Sequence, residues 1–192
     1  MSDRSIYEFT YRGQLAESAL DKAGRKGKFN NDATLADIDE ALNFDLLDAD
    51  EMQDSVRMAR VYAAITAFEK SARIFIKKVM QSEHGETWWA EKVPQKIQQF
   101  AEDRRSEENT IKWHGTRGDD LLTYTEMGHL AKIIENNWDD FQPHIRRIDW
   151  AKSIFSTIER SRNVIMHSGH LEIEDIERVG MNIRDWVKQV GA

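Results

Sequence analysis

Seven apolar or small side chains, Met58, Val61, Ile65, Phe68, Ala72, Phe75 and Val79, recur at steps of 3, 4, 3, 4, 3 and 4 residues. At 3.6 residues per turn a helix brings all seven to one side, whereas the two-residue period of a strand scatters them over both faces. Asp48, with Glu51 three residues later, matches a capping box, and Gly85 follows as a stop. The spacing predicts one helix from Asp48 to about Ser82. A stripe of that length needs cover, and the helix suits one member of a helical bundle; with only two prolines and ten glycines in the chain, an all-α fold is expected.

The rest of the chain supplies the partners. Thr34 is placed to cap a short helix through Leu42. Thr87-Trp88-Trp89 opens a second helical region, and Pro94 belongs to the first turn of a helix ending near the charged run 102–108. Residues 109–120 read as a loop. Thr125 is expected to cap a helix through Asn136, continued by Trp138–Phe141 until Pro143. Asp149 caps a helix from Trp150 to about His167, stopped by Ser168-Gly169. A last amphipathic helix runs from Glu174 to Gln189, with Ile176, Val179, Ile183, Trp186 and Val190 on one face. The expected organisation is a helical domain over 51–192 and a short, irregular N-terminal appendage over 1–50. In that appendage Ile6–Tyr11 alternates like a short strand and Lys22–Lys28 forms a basic arm.

The chain has no cysteine, which excludes disulfides, thiolate nucleophiles and cysteine metal centres. No run approaches a signal peptide or a membrane span, so a cytoplasmic setting without membrane contact is the expectation. The net charge of −7 argues at first against a nucleic-acid partner. Residues 31–54, however, hold nine acidic residues and no Lys or Arg, which leaves the remainder at +2. Residues 144–170 carry Arg146, Arg147, Lys152, Arg160 and Arg162 against Asp149 and Glu159. A basic site is compatible with an acidic whole.

The anomaly lies on the helix from Trp150 to His167. Ala151, Ile154, Phe155, Ile158, Ser161, Ile165 and Met166 cluster on one face, and Arg162 falls among them. A guanidinium stays charged, and burying it unpaired costs several kcal/mol. Arg162 therefore either meets a carboxylate of a neighbouring helix or borders a cleft that holds an anion. His167, five residues on, points ~140° away on an ideal helix. It serves either as a histidine complementing the helix C-terminus or as a group brought round to Arg162 where the helix loosens before Gly169.

Arg162-Asn163-Val164-Ile165-Met166-His167 resembles the Arg-x(4–6)-His signature of the HEPN superfamily, the higher eukaryote and prokaryote nucleotide-binding domains. Gly85–Trp89, Val93-Pro94, Tyr124–Leu130 and Ile134–Phe141 strengthen the resemblance. They are similar to the subgroup first described at the end of a eukaryotic mRNA-surveillance endoribonuclease and found again in bacterial defence and toxin-like proteins. The likeness covers roughly residues 55–190. It implies an antiparallel helical bundle, a homodimer, RNA as partner, and an antitoxin or defence-system protein as a further partner. It also implies metal-independent RNA cleavage by Arg162 and His167, with Asn163 orienting them. The same superfamily includes modules that only bind RNA or nucleotides, or only dimerise.

The residue types suit that chemistry. Imidazole transfers protons at neutral pH, and a guanidinium forks onto two phosphate oxygens. One histidine serves one proton transfer, so a two-fold pair of chains supplies the second. Arg160 shares a face with Asn163 and His167 and is an alternative phosphate contact; Arg146 and Arg147, with His144, extend the strip as RNA-binding residues or else sit in a solvated loop. His167 and His170 lack a third ligand at metal spacing, so no metal or other cofactor is expected. Trp88, Trp89, Trp138, Trp150 and Trp186 are assigned mainly to the core. The acidic segment reads as a solvated face rather than a cover for a basic cleft.

Overall fold

A computed structural model of the chain describes residues 34–191. These divide between Met52 and Gln53 into two units. In the first, helix α1 (Leu35–Ala41) opens on Thr34, whose hydroxyl accepts the Asp37 N–H at 3.2 Å while the Asp37 carboxylate accepts the Thr34 N–H at 2.7 Å. This reciprocal cap satisfies two donors that the helix start leaves open. The acidic side chains of residues 37–54 are exposed, as a solvated face should be. The expected strand at Ile6–Tyr11 and the Lys22–Lys28 arm lie outside the described residues.

Helix α2 (Ala49–His84) is 36 residues long. Asp48 Oδ1 accepts the N–H groups of Asp50 and Glu51 at 3.0 and 3.2 Å, which sets its start. All seven stripe residues are buried, joined by Ile76 and Met80. The helix passes Ser82 and ends at His84, whose Nε2 lies 2.7 Å from Asp140 Oδ2 and anchors the extra residues. After a 3₁₀ turn at Gly85–Thr87 come α3 (Trp88–Lys92), α4 (Gln95–Thr110), a 3₁₀ turn at Leu121–Tyr124, α5 (Met127–Asn136), α6 (Trp138–Phe141), α7 (Ile148–Met166) and α8 (Ile173–Val190). Helix α5 packs on α7, α7 on α8, and α4 on the Leu121–Tyr124 turn. No strand occurs among the described residues, and no described helix is long and apolar enough to cross a membrane. The second unit is an all-α helical bundle.

Several boundaries differ from expectation for local reasons. Pro94 is the N-cap of α4, with an extended ψ of 134°, not a first-turn residue. Thr125 turns its hydroxyl back to the Leu122 carbonyl at 2.7 Å, so Glu126 becomes the cap of α5 and donates its N–H to His129 Nδ1 at 3.2 Å. Helix α7 begins at Ile148 after Arg147; Asp149 sits inside its first turn, where a carboxylate favours the helix dipole without capping it.

Trp186 of α8 is fully buried and ties the bundle together. Its ring meets Phe68 and Phe75 of α2 edge-on at 5.8 and 5.7 Å, Phe155 of α7 at 5.1 Å, and stacks on Trp150 at 6.0 Å. Removing it opens a large cavity where three helices meet. We expect Trp186→Ala to destabilise the domain by about 3–5 kcal/mol. Chemical denaturation followed by circular dichroism measures this, and an unchanged midpoint refutes the central role of the indole.

Glu135 links two helices, accepting from Lys132 of α5 at 2.8 Å and Lys152 of α7 at 2.9 Å. Hydrogen bonds from Lys132 and then Lys152 hold its carboxyl at about 2, below the usual 4.5. A depressed carboxyl contributes stability above its ordinary pKa and loses it as pH falls through the folded-state value. Glu135→Gln should therefore flatten the fall in stability between about pH 4.5 and 2, most clearly at low salt. An acid titration of the melting midpoint in both proteins checks it.

Candidate functional site

The C-terminal end of α7 presents side chains to two sides. Arg162 faces α2. Its Nη1 stands 3.6 Å from Glu69 Oε1, an ion-pair distance longer than a hydrogen bond, and its side chain keeps 29% of its exposure. The same Glu69 carboxylate accepts Arg73 Nη1 at 3.2 Å through its other oxygen. Arg73 is otherwise committed to backbone: Nε donates to the Leu122 carbonyl at 3.2 Å and Nη2 to the Thr125 carbonyl at 2.9 Å. One carboxylate thus serves two guanidiniums. Arg162 borders a cavity of about 450 Å³ between α2, α4, the segment around Thr123 and α7.

The outward flank of α7 forms a second hollow, of about 540 Å³, lined by Arg160, Asn163 and His167 with Ser156, Glu159 and Val164. Spacings of 3 and 4 residues place those three side chains on one face. His167 is the C-cap of α7 and is exposed; its N–H donates to the carbonyls of Asn163 and Val164 at 3.2 and 3.3 Å. Within the chain Arg162 and His167 therefore open onto different hollows. The helix keeps its regular turn through Met166, so the two do not converge on one point.

One further expectation is corrected. Met166 is not core: it is 54% exposed and borders the Arg162 cavity. Arg146 and Arg147 are exposed but precede the first turn of α7, and fifteen helical steps of roughly 1.5 Å put Arg147 about 22 Å from Arg162. They stand at the opposite end of α7 from Arg160 and Arg162. His144 is exposed and sets its ring edge-on to Phe75 at 5.7 Å. Among the described residues, no three His, Asp or Glu side chains are grouped so as to hold a metal ion. Reading the sequence missed Glu69 and Arg73. Their signal was present: an i,i+4 pair of opposite charge lying beside the buried Phe68 and Ala72.

A family model described as Swt1-like HEPN matches residues 63–191. The chain belongs to the Swt1-like HEPN family. No curated protein and no solved structure matches the chain. The matched span starts inside α2 and takes in Glu69, Arg73 and the whole of α7, so every residue that lines the two hollows, apart from Tyr62, lies within the HEPN match.

The turn that ends α7 in this HEPN domain is tightly built. Ser168 adopts a left-handed φ of 59°, and the Gly169 N–H donates to the Val164 carbonyl at 2.8 Å. A Cβ on Gly169 would lie 2.7 Å from Val164 Cγ1 and 2.8 Å from its carbonyl oxygen. Backbone cannot yield cheaply there. Gly169→Ala should cost about 1–3 kcal/mol and shift the His167 ring resonances, because Val164 and His167 share one hollow. Gly180→Ala, on α8 with open space around it, should be neutral or stabilising. Denaturation and histidine NMR spectra of the two variants make the comparison; equal behaviour refutes the steric account.

Proposed function

We propose that this HEPN domain is a metal-independent endoribonuclease whose site is completed between two protomers. The observation that carries the reading is the placement of Arg162 and His167 on opposite flanks of one helix end. A single chain offers a guanidinium to one hollow and an imidazole to the other. Two chains meeting across the ends of their α7 helices supply both groups to one phosphate. Exposed Met166, between the two flanks, is an apolar contact suited to such a meeting.

In the reaction a histidine takes the proton from a ribose 2′-hydroxyl, and the oxygen attacks the adjacent phosphorus. The bond from phosphorus to the 5′-oxygen breaks, and that oxygen receives a proton from the second histidine. Arg162 stabilises the negative charge gathered on the phosphorane oxygens. Asn163, one turn before His167 and in the same hollow, positions the ring or the phosphate. Arg160 is an additional phosphate contact on that flank. The products are a 2′,3′-cyclic phosphate and a 5′-hydroxyl. A cell carrying such an activity needs a restraint, which fits a toxin paired with an antitoxin or a component of phage defence.

A second reading is a HEPN module that binds RNA or nucleotide, or dimerises, without cutting. The Arg162–Glu69 contact favours it, since a paired guanidinium has less positive charge to offer. The two readings part in one assay. Wild-type protein incubated with structured RNA and tRNA in EDTA should yield the cyclic-phosphate ends. His167→Ala should cut at least a hundred-fold more slowly while melting and binding RNA like the parent. Full activity in that variant removes His167 from the mechanism, and intact RNA with wild-type protein leaves the binding module.

A further inference from the structure

Two features remain unused by that reading: the charge of the Arg162 cavity and the loop beside it. Five cationic side chains reach the cavity, Lys70 and Arg73 from α2, Arg104 from α4, Arg117 from the following loop, and Arg162. Only Glu69 and Glu126 line it with negative charge. Glu126 accepts from Arg104 Nη2 at 2.9 Å, and Glu69 is divided between Arg73 and Arg162. Glu108, outside the lining, holds Arg117 at 2.8 Å. Counting that carboxylate as well, the wall keeps a surplus of two positive charges, in a chain whose net charge is −7. A concave surface of one sign concentrates counter-ions of the other.

Arg117 belongs to the loop 111–120, which also carries Lys112 and His114; its two acidic residues, Asp119 and Asp120, stand at its far end, where Asp120 is paired with Lys77 at 2.6 Å. Glu108 and Tyr124 fasten this loop: Glu108 Oε2 accepts the Arg117 N–H at 3.1 Å, and the Tyr124 hydroxyl donates to the Gly118 carbonyl at 2.9 Å. From it Trp113 projects with 86% of its surface exposed. The other five tryptophans are buried or partly buried, and the aromatic contact Trp113 makes is with its neighbour His114 at 5.6 Å. An indole so exposed on a fastened loop gains nothing for the fold. Aromatic faces flanked by cations are the means by which proteins hold unpaired nucleic acid.

We propose that single-stranded RNA runs across the Arg162 cavity and onto the 111–120 loop, with phosphates on Lys70, Arg104 and Arg117 and an unpaired base stacked on Trp113. The proposal rests on the reading of this domain as RNA-directed and deepens it. It assigns the strand's path to the α2–α4 side of α7 and its class to unpaired RNA, away from Arg146 and Arg147. Tyr62 and Met166, both at the cavity and both partly exposed, are placed for ribose or base edges.

The test is fluorescence anisotropy of a labelled uridine 12-mer, titrated with sodium chloride, in the His167→Ala protein so that the strand stays whole. Trp113→Ala should weaken binding roughly ten-fold with the salt slope unchanged, and Trp113→Phe should restore most of it. Lys70→Ala with Arg117→Gln should lower the slope of log affinity against log salt by about 1.4, at 0.7 per phosphate contact on a single strand. Should Arg117→Gln disturb the loop, exposed Lys70 decides alone, with a loss of about 0.7. Parent-like binding by both Trp113→Ala and Lys70→Ala overturns the proposed path, even where wild-type protein cuts RNA. Failure of wild-type protein to cut, with these losses in binding observed, overturns cleavage and leaves the path standing. Absence of any RNA binding by the parent overturns both.

Discussion

Four aromatic rings, Phe68 and Phe75 from α2 and Trp150 and Phe155 from α7, close on the indole of Trp186. Bulky planar groups interlock in few ways, and this cage fixes how far α7 is turned about its own axis. That rotation is what the candidate chemistry depends on. With Phe155 and Ile158 directed inward, Arg162 is turned toward α2, while Arg160, Asn163 and His167 are left on the outer flank. A modest change of roll would bury the guanidinium or release it to bulk water. The same packing that stabilises the bundle therefore decides which functional side chain faces which hollow.

Much of the fold was legible because burial imposes a period. The stripe from Met58 to Val79 and the faces of α7 and α8 carry the 3.6-residue signature, and their residues line the core. Helix ends were less legible, since the sequence often holds several competent capping groups in a row. Thr125 is the residue type that caps, yet its hydroxyl takes the Leu122 carbonyl instead, and the helix starts one residue later on Glu126. Met166 shows another limit of periodicity: a residue on the apolar arc but at the last turn has no neighbour left to cover it.

At the candidate site, the sequence could show that Arg162 sits awkwardly among apolar neighbours, and it could offer a carboxylate as one resolution. It could not show which carboxylate, because Glu69 lies 93 positions earlier and its role depends on α2 and α7 lying side by side. Trp113 was passed over for the opposite reason. Its segment has no period and reads as plain loop, and only the fold reveals that its indole, unlike the others, found no place inside. Charge was legible in outline. The acidic excess at 31–54 stood apart from the basic helix end, but the cluster around Lys70, Arg104 and Arg117 comes from three separate elements and has no linear signature.

The shared carboxylate of Glu69 has a consequence of its own. Its Oε1 is buried and accepts no hydrogen bond from within the described residues, with Arg162 Nη1 3.6 Å away. The guanidinium is consequently held by attraction without being fastened by a directed bond. Glu69 meanwhile accepts its one directed side-chain bond from Arg73, at 3.2 Å through the other oxygen. Charge alone therefore aligns Arg162 toward α2, and the guanidinium keeps its own directed donors uncommitted within the described residues.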